Sequence, residues 1–533
     1  MFRHSSTDEE ISTLESSLPN ELYDFIFLYL KSRDIIYSFF NLNDHFNNLI
    51  YPFFCAIDLS NVDECTLSKY CQRILPKIHH HIKTIKFDHK NIDSVFPLWL
   101  YSKIYLNLES VFITQVEKDG KYLSYLKFFK QLLNLKIYFD EGEFNETVSN
   151  ELCSNLFQSD CRLQTLFFDN VYVPINTHTI QRCFSIRKLT IKVHCLDDVY
   201  VLLYNLPSIE SVNISIPYIT PRRRRPEQQN VQLNNEEYIS STLSKLKHFV
   251  LYAIFTANYD YLELILSHCC PNLEYLSLNL YIDQFIDGER LEKKLLSKLA
   301  KLKVFHFCFR IPAFDNTLNM DDYIQTYKSS CWIDNNYSIL CFNQSPPHRH
   351  YCVFSLPYMF SKFSYISNDL INYRSNVNND IFLYSKQSKV KQIALYDTVP
   401  YTLELFQIIQ RSFSGATELL VLKAPVRCLS DNLLNNEMML ENIVSLIFFL
   451  SQLEFQHFRR LLLMTPNILR LYIRGSLVLD VLRNSEDSSF QQLQSICNRI
   501  RRVYIDRRSV ECDALNDNDI KLLFPNAKLS GWI

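Results

Sequence analysis

Apolar residues recur along most of the chain in one short arrangement: an apolar residue, two mostly polar residues, an apolar residue, any residue, and a third apolar residue. Ile82–Phe87, Leu163–Phe168 and Ile500–Ile505 are copies of it, and each predicts a short strand. The copies begin at Phe54, Ile82, Leu108, Leu132, Leu163, Ile186, Ile209, Leu246, Leu273 and Leu302, and then at Val390, Ala416, Ile443, Ile468 and Ile500.

The spacing of these copies carries more weight than their composition. With 47% apolar residues, three given positions are all apolar about one time in ten by chance. The first run, however, advances 248 residues in nine steps and the second 110 residues in four, which is about 27.5 residues per step in both. A fixed period of this size predicts a repeat array.

Helical patterns and proline-containing turns lie between the predicted strands. Val199–Leu206, Tyr261–Cys269, Leu291–Leu299 and Phe490–Ile500 carry apolar residues three and four apart, which predicts helices. Proline in turns such as Leu206-Pro207-Ser208 ends a helix and favours extended geometry before it. Each unit therefore reads strand, loop, helix, turn, and stacking predicts an irregular α/β solenoid (a horseshoe) with parallel strands.

The register is lost between Leu302 and Val390. Tyr337–Phe342 and Tyr351–Leu356 flank the polar, proline-containing segment Asn343–His350, which predicts two strands around a long turn. One hypothesis places this insert at the recognition surface, because long departures from a repeat often map to the binding face. A degenerate pair of repeats is the alternative.

A helical pattern precedes the first strand. Leu18–Leu22 opens a helix, with proline in its first turn, and Leu22, Ile26 and Leu30 share one face of it. Asp34 is a predicted N-cap for a second amphipathic helix that extends from Ile35 to Leu49. About 35 residues cannot bury enough surface to be stable alone, so these apolar faces need the rest of the chain or a partner.

The residues of this helical segment, from Leu18 to Ile50, resemble an F-box, the adaptor-binding motif of SCF-type cullin–RING ubiquitin ligases. The basic-plus-tryptophan segment of that family is replaced by Asn-Leu-Asn-Asp-His-Phe, in which Phe46 can take the aromatic position. The resemblance implies contacts with a Skp-type adaptor by Leu18, Pro19, Leu22, Ile26, Leu30 and Ile35. The alternative is a pair of helices that only caps the array.

The array in turn resembles the leucine-rich repeats of F-box proteins. It departs from them three residues after the third apolar position, where the consensus asparagine or cysteine is replaced by Lys90, Val116 and Val171 in three copies. We expect irregular curvature as a consequence. The predicted organisation is a disordered N-terminus (1–15), an F-box-like module (16–52), a first arc of repeats (53–310), an irregular insert with a β-hairpin (311–389) and a second arc (390–533).

Composition excludes several classes of enzyme. The chain has six glycines, about 1% of its residues against a usual value of about 7%. They are too far apart for a dinucleotide fingerprint, a phosphate-binding loop or a nucleophile elbow. The net charge is −2, which argues against a nucleic-acid-binding protein.

Three short constellations are candidates for chemistry or contact. Arg222–Arg225 predicts a solvated surface loop, with a protein contact or an import signal as the alternative. His79–His81 is predicted to be extended, which would point the rings to opposite faces and disfavour a shared metal. Asp197-Asp198 predicts a helix start. We therefore expect no metal, no cofactor and no catalytic residue.

The sixteen cysteines are scattered without a C-x-x-C pair, which is typical of free thiols in a reducing compartment. The polar N-terminus lacks a secretory signal, so a cytoplasmic or nuclear protein is expected. Together these features predict a non-catalytic substrate-recognition subunit of a ubiquitin ligase, whose partners are a Skp-type adaptor, a cullin and an unknown target protein. A leucine-rich-repeat scaffold without a ligase role is the alternative. Nucleic acid, membrane and small-molecule partners are not expected.

Overall fold

The structure is a computed structural model. It describes residues 18–88, 90, 107–116, 132–143, 146–175, 179–216, 243–257, 259–312, 319–344, 350–377, 382, 385–449, 453–483, 488–506 and 516–531. The predicted N-terminal tail (1–15) and the run Arg222–Arg225 lie outside the described residues.

The chain forms two compact units. The first comprises Met1–Tyr252 with His268–Glu274, and the second comprises Ala253–Ser267 with Tyr275–Ile533. This division falls inside the predicted first arc.

Parallel strands make up the sheet of the first unit. Strands β1 to β7 follow one another in chain order, and each is parallel to the next. The strands are β1 (Ala56–Leu59), β2 (Thr84–Asp88), β3 (Ser110–Val116), β4 (Asn134–Glu143), β5 (Thr165–Tyr172), β6 (Lys188–Lys192) and β7 (Ser211–Ile216). The division between the units passes through β8 (His248–Ala257).

Helices precede this sheet and connect its strands. Those of the first unit are α1 (Asn20–Phe27), α2 (Ser32–Phe39), α3 (Asp44–Ile50), α4 (Glu64–Lys69), α5 (Leu75–Ile78), α6 (Glu146–Leu156) and α7 (Leu196–Asn205). A π-helical turn, Tyr70–Ile74, joins α4 to α5, and a 3₁₀ turn, His79–His81, follows. Helix α8 (Tyr259–Cys269) has residues in both units.

The second unit contains strands of two sheets. In the first sheet β9 is parallel to β10, after which β12, β11 and β14 pair antiparallel. In the other, β13, β15, β16, β17, β18, β19 and β20 follow one another in parallel.

The strands of the second unit are β9 (Tyr275–Ile282), β10 (Val304–Pro312), β11 (Ser338–Gln344), β12 (His350–Leu356), β13 (Lys362–Ile366), β14 (Arg374–Ser375), β15 (Gln392–Tyr396), β16 (Glu418–Lys423), β17 (Ser445–Phe448), β18 (Arg470–Arg474), β19 (Arg502–Asp506) and β20 (Lys528–Gly531). Its helices are α9 (Gly288–Arg290), α10 (Met320–Gln325), α11 (Ser330–Asp334), α12 (Leu403–Ser412), α13 (Asp431–Leu434), α14 (Phe455–Met464), α15 (Gly475–Arg483), α16 (Ser488–Cys497) and α17 (Asp517–Leu523).

The parallel α/β arrangement predicted from the repeat is confirmed. Every predicted copy begins two residues before an observed strand, from Phe54 before β1 to Ile500 before β19. One further copy was not predicted. Phe360-Ser-Lys-Phe363-Ser-Tyr365 fits the same pattern and leads into β13. The second parallel sheet therefore begins within the predicted insert.

A backbone hydrogen-bond pattern links each unit of the repeat to the next. One carbonyl accepts from two consecutive amides of the following unit; Lys83 O, for example, accepts from Glu109 and Ser110 at 2.8 and 2.9 Å. The same pattern occurs in the second compact unit, where Val444 O accepts from Leu469 and Arg470 at 2.8 and 3.1 Å. These bonds satisfy buried backbone groups at the point where each strand begins.

Asparagine side chains add a second ladder at the same turns. Asn107 Nδ2 donates to His80 O at 2.7 Å and Asn272 Nδ2 to Ser244 O at 2.6 Å. The same contact is made by Asn442, Asn467 and Asn526. The consensus ladder position is instead apolar in two copies, because Val116 and Val171 are fully buried there.

Asparagine also takes the place of glycine at tight turns. Asn41, Asn61, Asn170 and Asn336 have positive φ values between 55° and 65°. Asparagine tolerates the left-handed region better than most residues, which allows a glycine-poor chain to turn.

Gly415 meets a different requirement. A Cβ atom at this position would overlap the carbonyl oxygen of Ser388 in the preceding unit. We expect Gly415→Ala to destabilise the protein by roughly 2 kcal/mol, because backbone atoms must move to admit the methyl group. Chemical denaturation measures this change, and an unchanged or raised midpoint would show that the turn relaxes freely.

The buried carboxyl group of Asp198 should make the free energy of unfolding depend on pH. Its carboxylate accepts from the amides of His194 and Cys195 at 3.0 and 3.3 Å, but burial dominates and raises its pKa from 3.8 to about 7. Between these values the folded protein retains a proton that the unfolded chain has released, so this group's contribution to stability falls as pH rises.

We therefore expect Asp198→Asn, which stays neutral, to gain stability relative to the native protein between pH 4 and pH 8. The gain is at most about 4 kcal/mol. Urea unfolding at both pH values measures the difference. A constant offset between the two proteins across this range would contradict the raised pKa.

Candidate protein-interaction surfaces

The N-terminal helices bury one aromatic cluster. Pro19 precedes α1 in extended geometry, and the inner side of this helix buries Tyr23 and Phe27. The Tyr23 ring meets Phe46 edge-on at 5.4 Å, and the Phe27 ring meets Phe39 at 5.3 Å. These contacts hold α1 against α2 and α3 through Tyr23 and Phe27 rather than through the predicted apolar face of Leu22, Ile26 and Leu30.

The second predicted helix is wrong in its extent. It is divided into α2 and α3, with a break at residues 40–43. Asn41 adopts a φ of 65°, and the Asn43 side chain accepts from the Phe46 amide at 2.9 Å as the N-cap of α3. Asp34 lies within α2, whose N-cap is Lys31.

Helix α2 docks on the first unit of the repeat. Its residues Ile35 and Ile36 are fully buried. Tyr70 donates to the Arg33 carbonyl, and the Arg33 guanidinium donates to the Ser60 carbonyl next to β1. Burial raises the pKa of Tyr70, so this hydroxyl stays protonated as a donor. The N-terminal helices thus cover the start of the first sheet.

The other side of α1 is exposed and apolar. We call it the outer α1 face, formed by Leu22 (46% exposed), Phe25 (57%), Ile26 (43%) and Tyr29 (76%). Their spacing of three and four residues places them on one side of the helix, and the Phe25 and Tyr29 rings lie 5.5 Å apart. Leu28 and Leu30 follow at 80% and 42% exposure.

The sequence-predicted adaptor contacts divide into two groups in the structure. Leu22, Ile26 and Leu30 are exposed, as is Pro19, whereas Leu18 is half-buried. Ile35 is 0% exposed and offers no surface to a partner, because it packs in the core beneath α2. Phe25 and Tyr29 are not among the contacts that the F-box resemblance implies, although their spacing of three and seven residues from Leu22 places them on the same side of the helix.

Acidic side chains border the outer α1 face. Glu21 and Asp24 are both exposed on α1. An apolar surface with an acidic border complements an apolar partner with basic residues at its rim.

The three adjacent histidines do not lie in the predicted extended segment. They form a 3₁₀ turn, in which the rings of His80 and His81 lie 3.7 Å apart and His79 Nδ1 contacts the Pro76 carbonyl at 2.8 Å. Across the described part of the chain, no three His, Cys, Asp or Glu residues gather in a group that could hold a metal ion.

Arg310 on β10 is a buried charge, with 3% of the residue exposed. Its Nη1 donates to Asn279 Oδ1 at 3.0 Å, and the guanidinium lies 5.0 Å from the Tyr281 ring. Burial opposes ionisation of the nearby Cys308, but the Cys352 thiol at 4.0 Å and the Arg310 charge outweigh it and lower the pKa of Cys308 to about 7. Both thiols are 0% exposed, so this cluster belongs to the interior.

Two further properties bear on where the protein can act. The cysteines in the described ranges are free thiols. In the same ranges no helix has both the length and the apolar character needed to cross a membrane.

Comparison with known proteins gives structural neighbours only. No protein-family profile matches the sequence, and no curated protein matches it significantly. A leucine-rich-repeat protein of Leptospira interrogans is 12% identical, with 89% of this chain and 99% of the other covered at a TM-score of 0.23. The leucine-rich-repeat ectodomain of a plant membrane receptor kinase from Arabidopsis thaliana is 8% identical, with 86% and 45% covered at a TM-score of 0.21.

At these TM-scores the likeness does not establish a shared fold. The strand–helix period and the parallel register of this chain are themselves the features of a leucine-rich-repeat-like array. By these features the chain is an α/β solenoid-like repeat protein.

Stability measurements can separate the two sides of the N-terminal helices. We expect Ile35→Ala to destabilise the protein by about 2 to 5 kcal/mol, because it opens a cavity in a filled core. Leu22→Ala, on the outer α1 face, should change stability by about 0.5 kcal/mol or less. Urea unfolding measures both, and equal losses would mean that the outer face is covered within the chain.

Proposed function

We propose that this protein is a non-catalytic protein-interaction scaffold. The observation that carries the proposal is the outer α1 face, an apolar surface at the end of a folded repeat array. Because α2 supplies the contact with the first repeat, covering the array does not require the outer α1 face. Its exposed apolar side chains are available to a second protein.

The composition of the outer α1 face favours protein binding. Each square ångström of apolar surface removed from water contributes about 25 cal/mol. Aromatic side chains such as Phe25 and Tyr29 are the residues that most often anchor interfaces. A rigid helix, held from behind by Tyr23 and Phe27, loses little conformational freedom when it binds.

A second candidate is the substrate-recognition subunit of an SCF-type cullin–RING ubiquitin ligase. One observation favours it: Leu22, Ile26 and Leu30, three of the contacts implied by the F-box resemblance, are exposed beside one another. In this case α1 holds the chain to a Skp-type adaptor and a cullin, and the arrays hold a target protein. Ubiquitin transfer then depends on the high effective concentration of the target's lysines.

The two candidates differ in what binds the outer α1 face. We expect purified full-length protein to bind a purified Skp-type adaptor under the ligase candidate. Leu22→Ser with Ile26→Ser should then weaken adaptor binding by at least about tenfold, because it removes two apolar anchors from the interface. Isothermal titration calorimetry measures the affinity, and circular dichroism checks the fold.

A matched control removes apolar side chains that are equally exposed elsewhere. Phe184 and Val399 are 59% and 52% exposed, so Phe184→Ser with Val399→Ser should leave adaptor binding unchanged. Absence of adaptor binding by the native protein would contradict the ligase candidate. The scaffold proposal itself fails if proteins captured by the full chain under crosslinking are the same for the native protein and the Leu22→Ser, Ile26→Ser variant.

A further inference from the structure

The second parallel sheet carries a regular lattice of side chains on the face turned away from the helices. In β18 and β19, Leu471, Ile473, Val503 and Ile505 are buried, and the alternate residues therefore point to this open face. We define the open face here as the alternate, less buried positions of β15 to β20.

Strand register places three cations in one row. Arg470 pairs with Arg502, and Arg502 pairs with Lys528 on the next strand. Neighbouring strands are about 4.8 Å apart, so the backbone positions of these residues span about 10 Å. We call Arg470, Arg502 and Lys528 the basic row.

Only one member of the basic row is neutralised. Glu418 Oε1 lies 3.1 Å from Arg470 Nη2, and Glu418 Oε2 accepts from Gln392 at 2.9 Å. Arg502 and Lys528 are exposed, and neither has an ion-pair partner among the described residues. A net positive charge therefore remains at this edge of the sheet.

A tyrosine pair lies beside the basic row. Tyr472 and Tyr504 lie two residues further along the same strands than Arg470 and Arg502, with ring centroids 4.1 Å apart and planes 3° from parallel. Burial, followed by the bond to Tyr504, raises the pKa of Tyr472 to about 12. The phenol therefore stays neutral near pH 7, and it does not offset the charge of the basic row.

The row beyond the tyrosines adds no surplus charge. Arg474 lies opposite Asp506 in the register of β18 and β19, so one cation faces one carboxylate. Among the described residues of β18 to β20, the uncompensated charge thus belongs to Arg502 and Lys528, next to the stacked tyrosine pair.

We infer that this part of the open face is a docking site for a protein segment rich in acidic residues with an aromatic or apolar neighbour. Carboxylates of the segment pair with Arg502 and Lys528, and its apolar side chain packs on Tyr472 and Tyr504. The inference rests on the proposed scaffold function and supplies the chemistry of one partner. It places this contact in the second unit, on residues different from the outer α1 face.

Charge complementarity favours a protein segment over nucleic acid. A nucleic-acid binder can make about six to ten phosphate contacts, whereas Arg502 and Lys528 are the uncompensated cations among the described residues of β18 to β20. A protein segment with two neighbouring carboxylates matches these two cations, so no long polyanion is required.

Fluorescence anisotropy with a short fluorescein-labelled Glu-Tyr repeat peptide tests the inference on the full-length protein. We expect saturable binding that weakens as the salt concentration rises. The reason is that the Debye screening length falls from about 10 Å at 0.1 M salt to about 3 Å at 1 M salt. Arg502→Glu with Lys528→Glu should weaken it by about tenfold or more, since attraction becomes repulsion. A Lys-Tyr repeat peptide of equal length should bind this variant more tightly than the native protein.

Lys298→Glu with Lys301→Glu is the matched control, because both residues are exposed and the change in net charge is the same. It should leave the affinity for the Glu-Tyr peptide within about twofold of the native value. An equal loss in both variants would reduce the effect to net charge and overturn the site. Tighter binding of oligothymidylate than of the Glu-Tyr peptide would overturn the choice of a protein partner.

Failure of this inference leaves the proposed function open to its own test. If the Glu-Tyr peptide does not bind while the outer α1 face still captures its partner, only the docking site is wrong. Unfolding of the Arg502→Glu, Lys528→Glu variant is detected by circular dichroism. In that case Arg502→Gln with Lys528→Gln takes its place, with an expected loss of about threefold to tenfold.

Discussion

The fold depends on backbone hydrogen bonds that join each unit of the repeat to the next. At the start of a repeat strand, one carbonyl oxygen accepts hydrogen bonds from two consecutive amides of the following repeat. The Lys83 carbonyl, for example, accepts from Glu109 and Ser110. Bonds between main-chain atoms are independent of side-chain identity, so strands with different sequences stack in one register. Asn107, Asn272 and Asn467 reinforce the same turns with side-chain donors. Because strands such as β18 bury one face only, their alternate side chains are free to vary.

That freedom separates structural residues from contact residues. In β18 and β19 the buried Leu471 and Val503 maintain the core, while Arg470, Tyr472, Arg502 and Tyr504 determine the charge and shape of the open face. The N-terminal helices show the same separation. Ile35 and Ile36 cover the first repeat, and Leu22, Phe25 and Ile26 face outwards. The two surfaces therefore differ in chemistry: one is apolar with acidic neighbours, and the other is basic with aromatic neighbours.

The second unit shows how the repeat stops and starts again. Strand β12 pairs antiparallel with β10, which ends the parallel run, and β13 begins the other parallel sheet. The two sheets share a continuous core in which Phe354 and Phe363 lie 5.3 Å apart.

Gly415 and the left-handed asparagines explain how a chain with six glycines makes its turns. Gly415 lies where a backbone oxygen leaves no room for a side chain, and asparagine takes the positive-φ positions.

The sequence alone determined the period, the positions of the repeated strands other than β13 and β20, and the parallel α/β arrangement. Local spacing encodes all three, and the strands after Phe54, Ile82 and Ile500 begin where the pattern places them. Tertiary structure decided which side of α1 is buried, since Leu22 and Tyr23 are both apolar and only packing against Phe46 selects Tyr23. It also decided that Ile35 is inaccessible and that Arg502 and Lys528 have no ion-pair partner in the described part of the chain. These properties depend on neighbours that are distant in the sequence, such as Phe46 for Tyr23 and Lys528 for Arg502, which no local pattern specifies.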